Sequence, residues 1–386
     1  MGLDPGRILN LDFAKIPSFT GDPMRLNDWL THYLGVRIVR AKHLESAGLI
    51  KSRQMTKKFH DDAFEAVRSM EKSNGKRLTP ALKAKADAYA REVLGDIDYA
   101  PWLYVFATMQ GEFKDGWMPD DFYHMVVVPK ITKGLAQVSN IKSLAKILLQ
   151  TEALPDIAYH IGGVHYDRDF KVIDLKRLRE IVAPHGCAFV KRDDSGGGKG
   201  VRKLTPDQLT EDTLTHDCVL QRPIRQHPAL EEILPGPVAT LRITTVRTPN
   251  GELSKRGAFL RLARKNTDWV MGVDSIDVAV TDEAGRLDAL GYDDIWRAWP
   301  HHPDTGIAFA GRRVPEFRRA VDLCLELHAK APHMPIVGWD VAVNRDNGLE
   351  LIEWNGGYCD IKFCEALSGP HYRDMGWERF AEKAQR

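Results

Sequence analysis

The clearest pattern of apolar and polar positions lies near the C-terminus, where Gly338-Trp339-Asp340-Val341-Ala342-Val343-Asn344 and Leu349-Glu350-Leu351-Ile352-Glu353-Trp354-Asn355-Gly356-Gly357 flank Arg345-Asp346-Asn347-Gly348. Two runs rich in Val, Ile and Trp around Asp-Asn-Gly predict a β-hairpin that reverses between Asp346 and Asn347. In that register Asp340 lies across from Glu353. Facing side chains sit about 4.5–5.5 Å apart at Cβ, so two carboxylates there repel unless a cation or proton lies between them. Asn355, two residues beyond Glu353, points to the same face. Both strands are otherwise apolar on both faces, as in a buried central sheet, so polar side chains on one face need a reason. Three oxygen ligands with no Cys or His suit Mg²⁺ or Mn²⁺ held together with substrate phosphates better than zinc. The plainer alternative is a half-exposed hairpin with a polar face.

Elsewhere the pattern changes period. Thr56 to Met70 and Ala81 to Leu94 are charged, amphipathic stretches separated by Glu71-Lys72-Ser73-Asn74-Gly75, and residues 1–130 read as a mainly helical region without chemistry of its own. The short apolar run His124 to Val128 predicts a strand, and Asn140 to Leu149 a helix that ends before Leu154-Pro155. Residues 131–225 form a small lobe in which short strands alternate with helices: Lys171 to Asp174, helix Leu175 to Ile181, then strands Cys187 to Lys191, Val201 to Leu204 and Cys218 to Gln221, with a helix opening at Thr205-Pro206. Residues 226–386 form a larger lobe. It has strands Thr240 to Val246, Leu253 to Ala263 and Ser275 to Thr281, helix Pro315 to Ala329, and the hairpin. The fold class is α+β. On the helix, His328 shares a face with Phe317, Val321 and Cys324, and reads as a packed residue rather than a ligand.

Composition narrows the field. With 386 residues and 43% hydrophobic content the chain can bury two or three sizeable cores, and a net charge of +1 supplies no global field for nucleic acid or an anionic membrane. No stretch approaches the 18 or so apolar residues of a membrane span, and Met1-Gly2-Leu3-Asp4-Pro5-Gly6 lacks a signal-peptide core, so a cytoplasmic protein is expected. Cys187, Cys218, Cys324, Cys359 and Cys364 form no C-x-x-C pair, which fits a reducing compartment and structural thiols.

A second constellation is Ala188-Phe189-Val190-Lys191-Arg192-Asp193-Asp194-Ser195-Gly196-Gly197-Gly198-Lys199-Gly200-Val201, a lysine closing an apolar strand and a glycine run after it. Successive glycines let backbone N–H groups approach phosphate oxygens, and Lys191 and Lys199 add charge. A P-loop is excluded because Lys199 is followed by Gly200 and a strand. A protein kinase is excluded because its glycine loop precedes the strand lysine. Arg242, in Ala239-Thr240-Leu241-Arg242-Ile243-Thr244, can pair bidentately with a phosphoryl or carboxylate group, or with an acidic side chain of the sheet. Arg261 and Arg264 are three apart, so on a strand they face opposite ways and only one belongs at a site.

With Lys191 and its glycine loop, Gln221, Arg242, Asp340, Glu353 and Asn355 in this order, the chain resembles the ATP-grasp superfamily over roughly residues 115 to 370. The details Gly-Trp-Asp-Val-Ala-Val, Ile-Glu-Trp-Asn-Gly, Thr-Leu-Arg-Ile-Thr-Thr and His302-Pro303-Asp304-Thr305-Gly306 are similar to its sugar-transfer-associated branch. The resemblance implies two α+β lobes clasping ATP, with a mainly helical N-terminal region. Carried over, Lys191 contacts the nucleotide, Ser195 to Gly200 (with Gly196, Gly197, Gly198 and Lys199) closes over its phosphates, and Gln221 with Arg222, Pro223 and Ile224 forms the adenine hinge. Asp340, Glu353 and Asn355 coordinate Mg²⁺, and Arg242 stabilises an acyl phosphate. A further nucleotide lysine is either Lys142 or Lys146. Where the branch often carries an Asn and a Gly-Gly pair, this chain has Met271-Gly272-Val273-Asp274-Ser275-Ile276-Asp277, so its acceptor pocket is expected to differ.

The implied activity is an ATP-dependent carboxylate–amine ligase that acts on a small acid, an amino acid or sugar acid, and releases ADP and phosphate. A hydroxyl or thiol acceptor, direct phosphorylation of the substrate, or nucleotide binding without turnover are the alternatives. The partners expected are small molecules, with neither nucleic acid nor membrane among them.

Overall fold

The computed structural model describes residues 39–265, 267–269 and 274–381. The expectations placed on residues 1–38 and on Met271 to Val273 lie outside them. Residues 1–58 and 59–386 form two compact units. The described backbone of the first is helical, the start of helix α1 (Val39–Ser73).

In the second unit, α2 (Pro80–Glu92) starts where Thr79 accepts a hydrogen bond from the Leu82 backbone N–H and Pro80 occupies the first helical position. Helix α3 (Ala100–Gln110) is apolar all round and buried along nearly its whole length, and it ends at Gly111, whose φ of 73° is the left-handed cap that glycine adopts without cost. The run His124 to Val128 is not a strand. It lies inside a broken helix, Asp120–Phe122, Tyr123–Val127 with π-type turns, and Val128–Thr132. Val127 and Val128 are buried and His124 to Val126 half-buried, and over so short an apolar run periodicity alone does not separate a helix from a strand. The Tyr123 hydroxyl donates to the carbonyl of Gly357, so this helix backs the end of the C-terminal hairpin.

The small lobe holds a six-stranded antiparallel sheet in the order β3-β2-β1-β6-β4-β5, built from β1 (Asp156–Ile161), β2 (Val164–Asp167), β3 (Val172–Ile173), β4 (Ala188–Arg192), β5 (Val201–Leu204) and β6 (Cys218–Gln221). Helix α4 (Leu175–Val182), capped by Asp174, buries Leu178 and Val182 among Ala158, Val190 and Leu220. The helix expected over Asn140 to Leu149 is divided: 3-10 turns at Leu135–Asn140 and Lys142–Leu144 precede a short helix at Ala145–Leu149. Strands β1 and β2 escape the sequence pattern, because β1 is buried at five of six positions and shows no alternation.

The large lobe is a seven-stranded antiparallel sheet ordered β11-β10-β9-β8-β7-β12-β13, from β7 (Thr240–Arg247), β8 (Leu253–Leu262), β9 (Ile276–Val280), β10 (Leu287–Tyr292), β11 (Ala298–Trp299), β12 (Ile336–Val343) and β13 (Leu349–Asn355). Helix α5 (Phe317–Lys330) packs its Phe317, Val321, Cys324 and Leu327 face into that core. His328 is fully buried between the Thr245 hydroxyl at 2.7 Å and the Met334 carbonyl at 2.7 Å, a packed residue held near pKa 4 mainly by burial. A second short helix, α6 (Lys362–Ser368), follows β13. The lobes are joined through Arg222 to His227, which runs beside the end of β12: the Arg345 N–H donates to the Arg225 carbonyl and the His227 N–H to the Val343 carbonyl, each at 2.8 Å.

Candidate active site

Asp340 faces Glu353 in the observed β12–β13 register, but the pairing near the turn is one residue different from the sequence expectation. Val341 faces Leu351, Ala342 faces Glu350 and Val343 faces Leu349, which centres the reversal on Asp346. A β-bulge at Ile352 then inserts one residue and restores Asp340 to Glu353, Trp339 to Trp354 and Gly338 to Asn355. The bulge leaves the Ile352 carbonyl outside the ladder. It accepts from Lys191 Nζ at 3.4 Å and, more weakly, from Gln221 Nε2 at 3.5 Å, so the two lobes meet there.

A cleft between the sheets is lined by Lys142, Lys191, Ser195, Gly196, Gly197, Gly198, Gln221, Arg222, Ile224, Arg242, Arg261, Asp340, Glu353 and Asn355. Lys146, Lys199, Gly200, Pro223 and Arg264 do not line it. Lys146 donates to the Arg168 carbonyl at 2.8 Å, and Arg264, beyond the end of β8, pairs with Asp304 at 2.7 and 2.8 Å. Of the two alternating possibilities, Arg261 faces the cleft. Gly200 still has a local role, since a Cβ there would meet the Ser195 side chain at 2.1 Å.

The glycine loop is anchored at its start. The Ser143 hydroxyl donates to Asp193 Oδ2 at 2.6 Å, the Asp194 N–H to the Asn140 carbonyl at 3.0 Å, and Lys142 Nζ to the Ser195 carbonyl at 2.5 Å. Gly197 and Gly198 then take φ of 62° and 78°, a left-handed pair that side chains disfavour. Gln221 is buried and donates to Asp156 Oδ1 at 2.8 Å, while Arg222 forks onto Glu350 at 2.7 and 2.8 Å. Burial lowers the Lys191 pKa below the ordinary lysine value, although Glu353 and Asp156 pull the other way.

The facing carboxylates are half-buried, with side-chain exposures of 13% for Asp340 and 27% for Glu353. Each meets a cation. Arg242 lies across from Asp340 in the β7–β12 register and donates to both its oxygens, at 2.6 and 3.0 Å. Asn355 Nδ2 is 3.4 Å from Asp340 Oδ2, and Lys142 Nζ is 3.7 Å from Glu353 Oε1. Burial opposes the Arg242 charge, but the Asp340 pair outweighs it and raises its pKa. Among the described residues no cluster of three or more His, Cys, Asp or Glu side chains suits a metal ion. A metal at this hairpin would therefore take two carboxylates and one amide oxygen from the protein, and fill its shell from phosphates and water, as Mg²⁺ does.

Several contacts around the cleft carried no sequence signal. Arg261 is held by Asp277 at 2.8 Å and by Asp360 at 2.6 Å. Despite burial, Lys362 and Arg261 hold the Asp360 carboxyl far below its ordinary value. Phe189 and Trp269 meet edge to face at the cleft wall, with ring centroids 6.4 Å apart. Phe189 was legible only as a strand residue two positions before Lys191 on the same face, and Asp360 becomes a partner of Arg261 only through tertiary contact. Cys359 and Cys364 are buried free thiols; burial pushes Cys359 up to about 11 and Cys364 higher, which argues against a nucleophile.

Residues 209–371 match the family model described as sugar-transfer associated ATP-grasp. This segment is ATP-grasp. It contains Gln221, Arg242, Arg261 and the whole β12–β13 hairpin. Among solved structures, similarity is found to the biotin carboxylase domain of the Hydrogenobacter thermophilus 2-oxoglutarate carboxylase, at 13% identity over 68% of this chain and 52% of the other, with TM-score 0.41. Thermotoga maritima N5-carboxyaminoimidazole ribonucleotide synthetase is 12% identical over 57% of this chain and 42% of the other, with TM-score 0.33. Vibrio cholerae D-alanyl-alanine synthetase A is 12% identical over 63% of this chain and 65% of the other, with TM-score 0.38. In each case the chain spans less than two thirds of the other's length. No curated protein matches it in sequence. Among the described residues no helix is long and apolar enough to cross a membrane.

Proposed function

We propose that this protein is an ATP-dependent carboxylate–amine ligase acting on a small acid, with an acyl phosphate as intermediate and ADP and phosphate as products. The observation that carries the reading is the convergence, in one cleft, of Lys191 and the glycine loop from one lobe with Asp340, Glu353 and Asn355 from the other. In it, Lys142, Lys191 and the loop N–H groups of Ser195 to Gly198 hold the triphosphate, and Gln221 to Ile224 border the base. Asp340, Glu353 and Asn355 hold Mg²⁺, which neutralises charge on the transferring phosphoryl when bound. Arg242 and Arg261 are fixed by their acidic partners before any ligand enters, so they orient substrate at little further cost in order. No protein nucleophile is required.

Incubating the pure protein with MgATP and a panel of small acids and amines tests this. ADP and phosphate are the expected products for at least one acid–amine pair, with the coupled product seen by mass spectrometry. Release of AMP alone sinks the reading, and a phosphorylated or esterified product moves it to a kinase or to a hydroxyl or thiol acceptor.

A further inference from the structure

The two facing carboxylates are not neutralised alike. Asp340 is gripped by the Arg242 fork, and that guanidinium is tied down again through Nη1 to the Cys359 carbonyl at 3.3 Å. Both residues stand on central strands. Glu353 has the looser partner: Lys142 Nζ at 3.7 Å, an ammonium whose hydrogen bond goes to the Ser195 carbonyl of the glycine loop. Lys142 sits on a single 3-10 turn, Lys142–Leu144, and carries its charge at the end of a four-carbon stem. Arg242 is built to stay where it is. Lys142 is held by one hydrogen bond, to the Ser195 carbonyl, and has only a 3.7 Å approach to Glu353.

Resting on the ATP-ligase reading, we propose that Lys142 is the resident counter-ion of Glu353 in the nucleotide-free protein, and that it yields to the metal only when nucleotide phosphates arrive. Two carboxylates faced by Arg242 and Lys142, with the Lys191 ammonium also acting on both, offer no net negative charge to a divalent ion. A metal entering alone would come close to the Lys142 ammonium and the Arg242 guanidinium, and like charges at such range repel strongly in a half-buried site. A triphosphate changes the balance twice, by adding negative charge and by giving Lys142 a new partner. Metal and nucleotide therefore enter together. The same movement takes Lys142 off the Ser195 carbonyl and loosens one of the anchors of the glycine loop, while those to Asp193 and Asp194 remain.

The test counts free Mn²⁺ by electron paramagnetic resonance as Mn²⁺ alone is titrated into the wild-type protein, Lys142→Met and Lys142→Gln, and then repeats the titration with a non-hydrolysable ATP analogue. Wild type is expected to bind Mn²⁺ alone at least about tenfold more weakly than with the analogue. Lys142→Met, and Lys142→Gln should the first fail to fold, are expected to tighten Mn²⁺ alone by about tenfold and to weaken the analogue. Tight binding of Mn²⁺ alone by wild type, or equal affinity in wild type and folded variants, overturns the role of Lys142 and leaves the ligase reading standing. Failure of wild type to bind the analogue with Mn²⁺ overturns the ligase reading itself.

Discussion

Arg242 and Asp340 stand directly opposite on β7 and β12 and are joined by two hydrogen bonds of 2.6 and 3.0 Å. A guanidinium fork matches a carboxylate in this way where an ammonium does not. Arg242→Ala leaves Asp340 beside Glu353 without its cation and is expected to destabilise the fold by about 3–5 kcal/mol, the range for breaking a buried pair from one side. Arg242→Lys should recover only part of that. Urea unfolding of the three proteins measures it, and an Arg242→Ala loss below about 1 kcal/mol would show the pair to be as weak as an exposed one.

Asp340→Asn and Glu353→Gln keep shape and remove charge. On the proposed function, each is expected to lower ADP release by about 10²-fold or more, since the metal loses a ligand at the phosphoryl group. Steady-state ADP production at saturating MgATP is the measurement. Full activity in both variants would favour nucleotide binding without turnover at this hairpin.

Lys191 carries its charge against burial, and its pKa lies below the ordinary value. Only the protonated form attracts phosphate. Its contribution to nucleotide affinity is therefore complete below that lowered pKa and is lost as pH rises through it, earlier than an exposed lysine would lose it. Calorimetric titration of a non-hydrolysable ATP analogue over a pH series should show binding that weakens as pH rises, from a lower pH than an ordinary lysine would give, with proton uptake on binding. Lys191→Met should bind weakly throughout, with no pH dependence from this group.

Asp121 is buried in the broken helix, and burial pushes its carboxyl up to about 8. The folded protein thus keeps a proton there that the unfolded chain releases near pH 4, so stability falls as pH rises from about 4 to about 8. Asp121→Asn removes the ionisation and keeps the shape. Its thermal midpoint should approach that of wild type below about pH 4 and exceed it increasingly towards pH 8.5; a constant difference across the range would assign the effect to packing.

The parts legible in the sequence are those set by local rules. Asp-Asn-Gly between Val- and Trp-rich runs gave the hairpin, period two put Asn355 beside Glu353, and the spacing of Arg261 and Arg264 left one of them at the cleft. The turn lies half a residue from the expected centre because nothing in the side chains announces a bulge at Ile352. The two errors cancel at Asp340 and Glu353. His124 to Val128 differs from the expected strand because five residues are too few to show a helical period, and the partners of Arg261 are invisible because Asp277 and Asp360 are brought to it by different segments. Lys142 and Lys146 are alike in sequence, and only the division of the expected helix turns one toward Ser195 and the other toward Arg168.

The bulge has a consequence for tolerance to substitution. A regular ladder consumes every inward carbonyl, whereas this one releases the oxygen of Ile352 toward Lys191 and Gln221 on the opposite lobe. The contact is made by main chain and is indifferent to the side chain at position 352. That position is free to vary in shape to suit whatever lies in the cleft, while the two lobes keep the same point of reference.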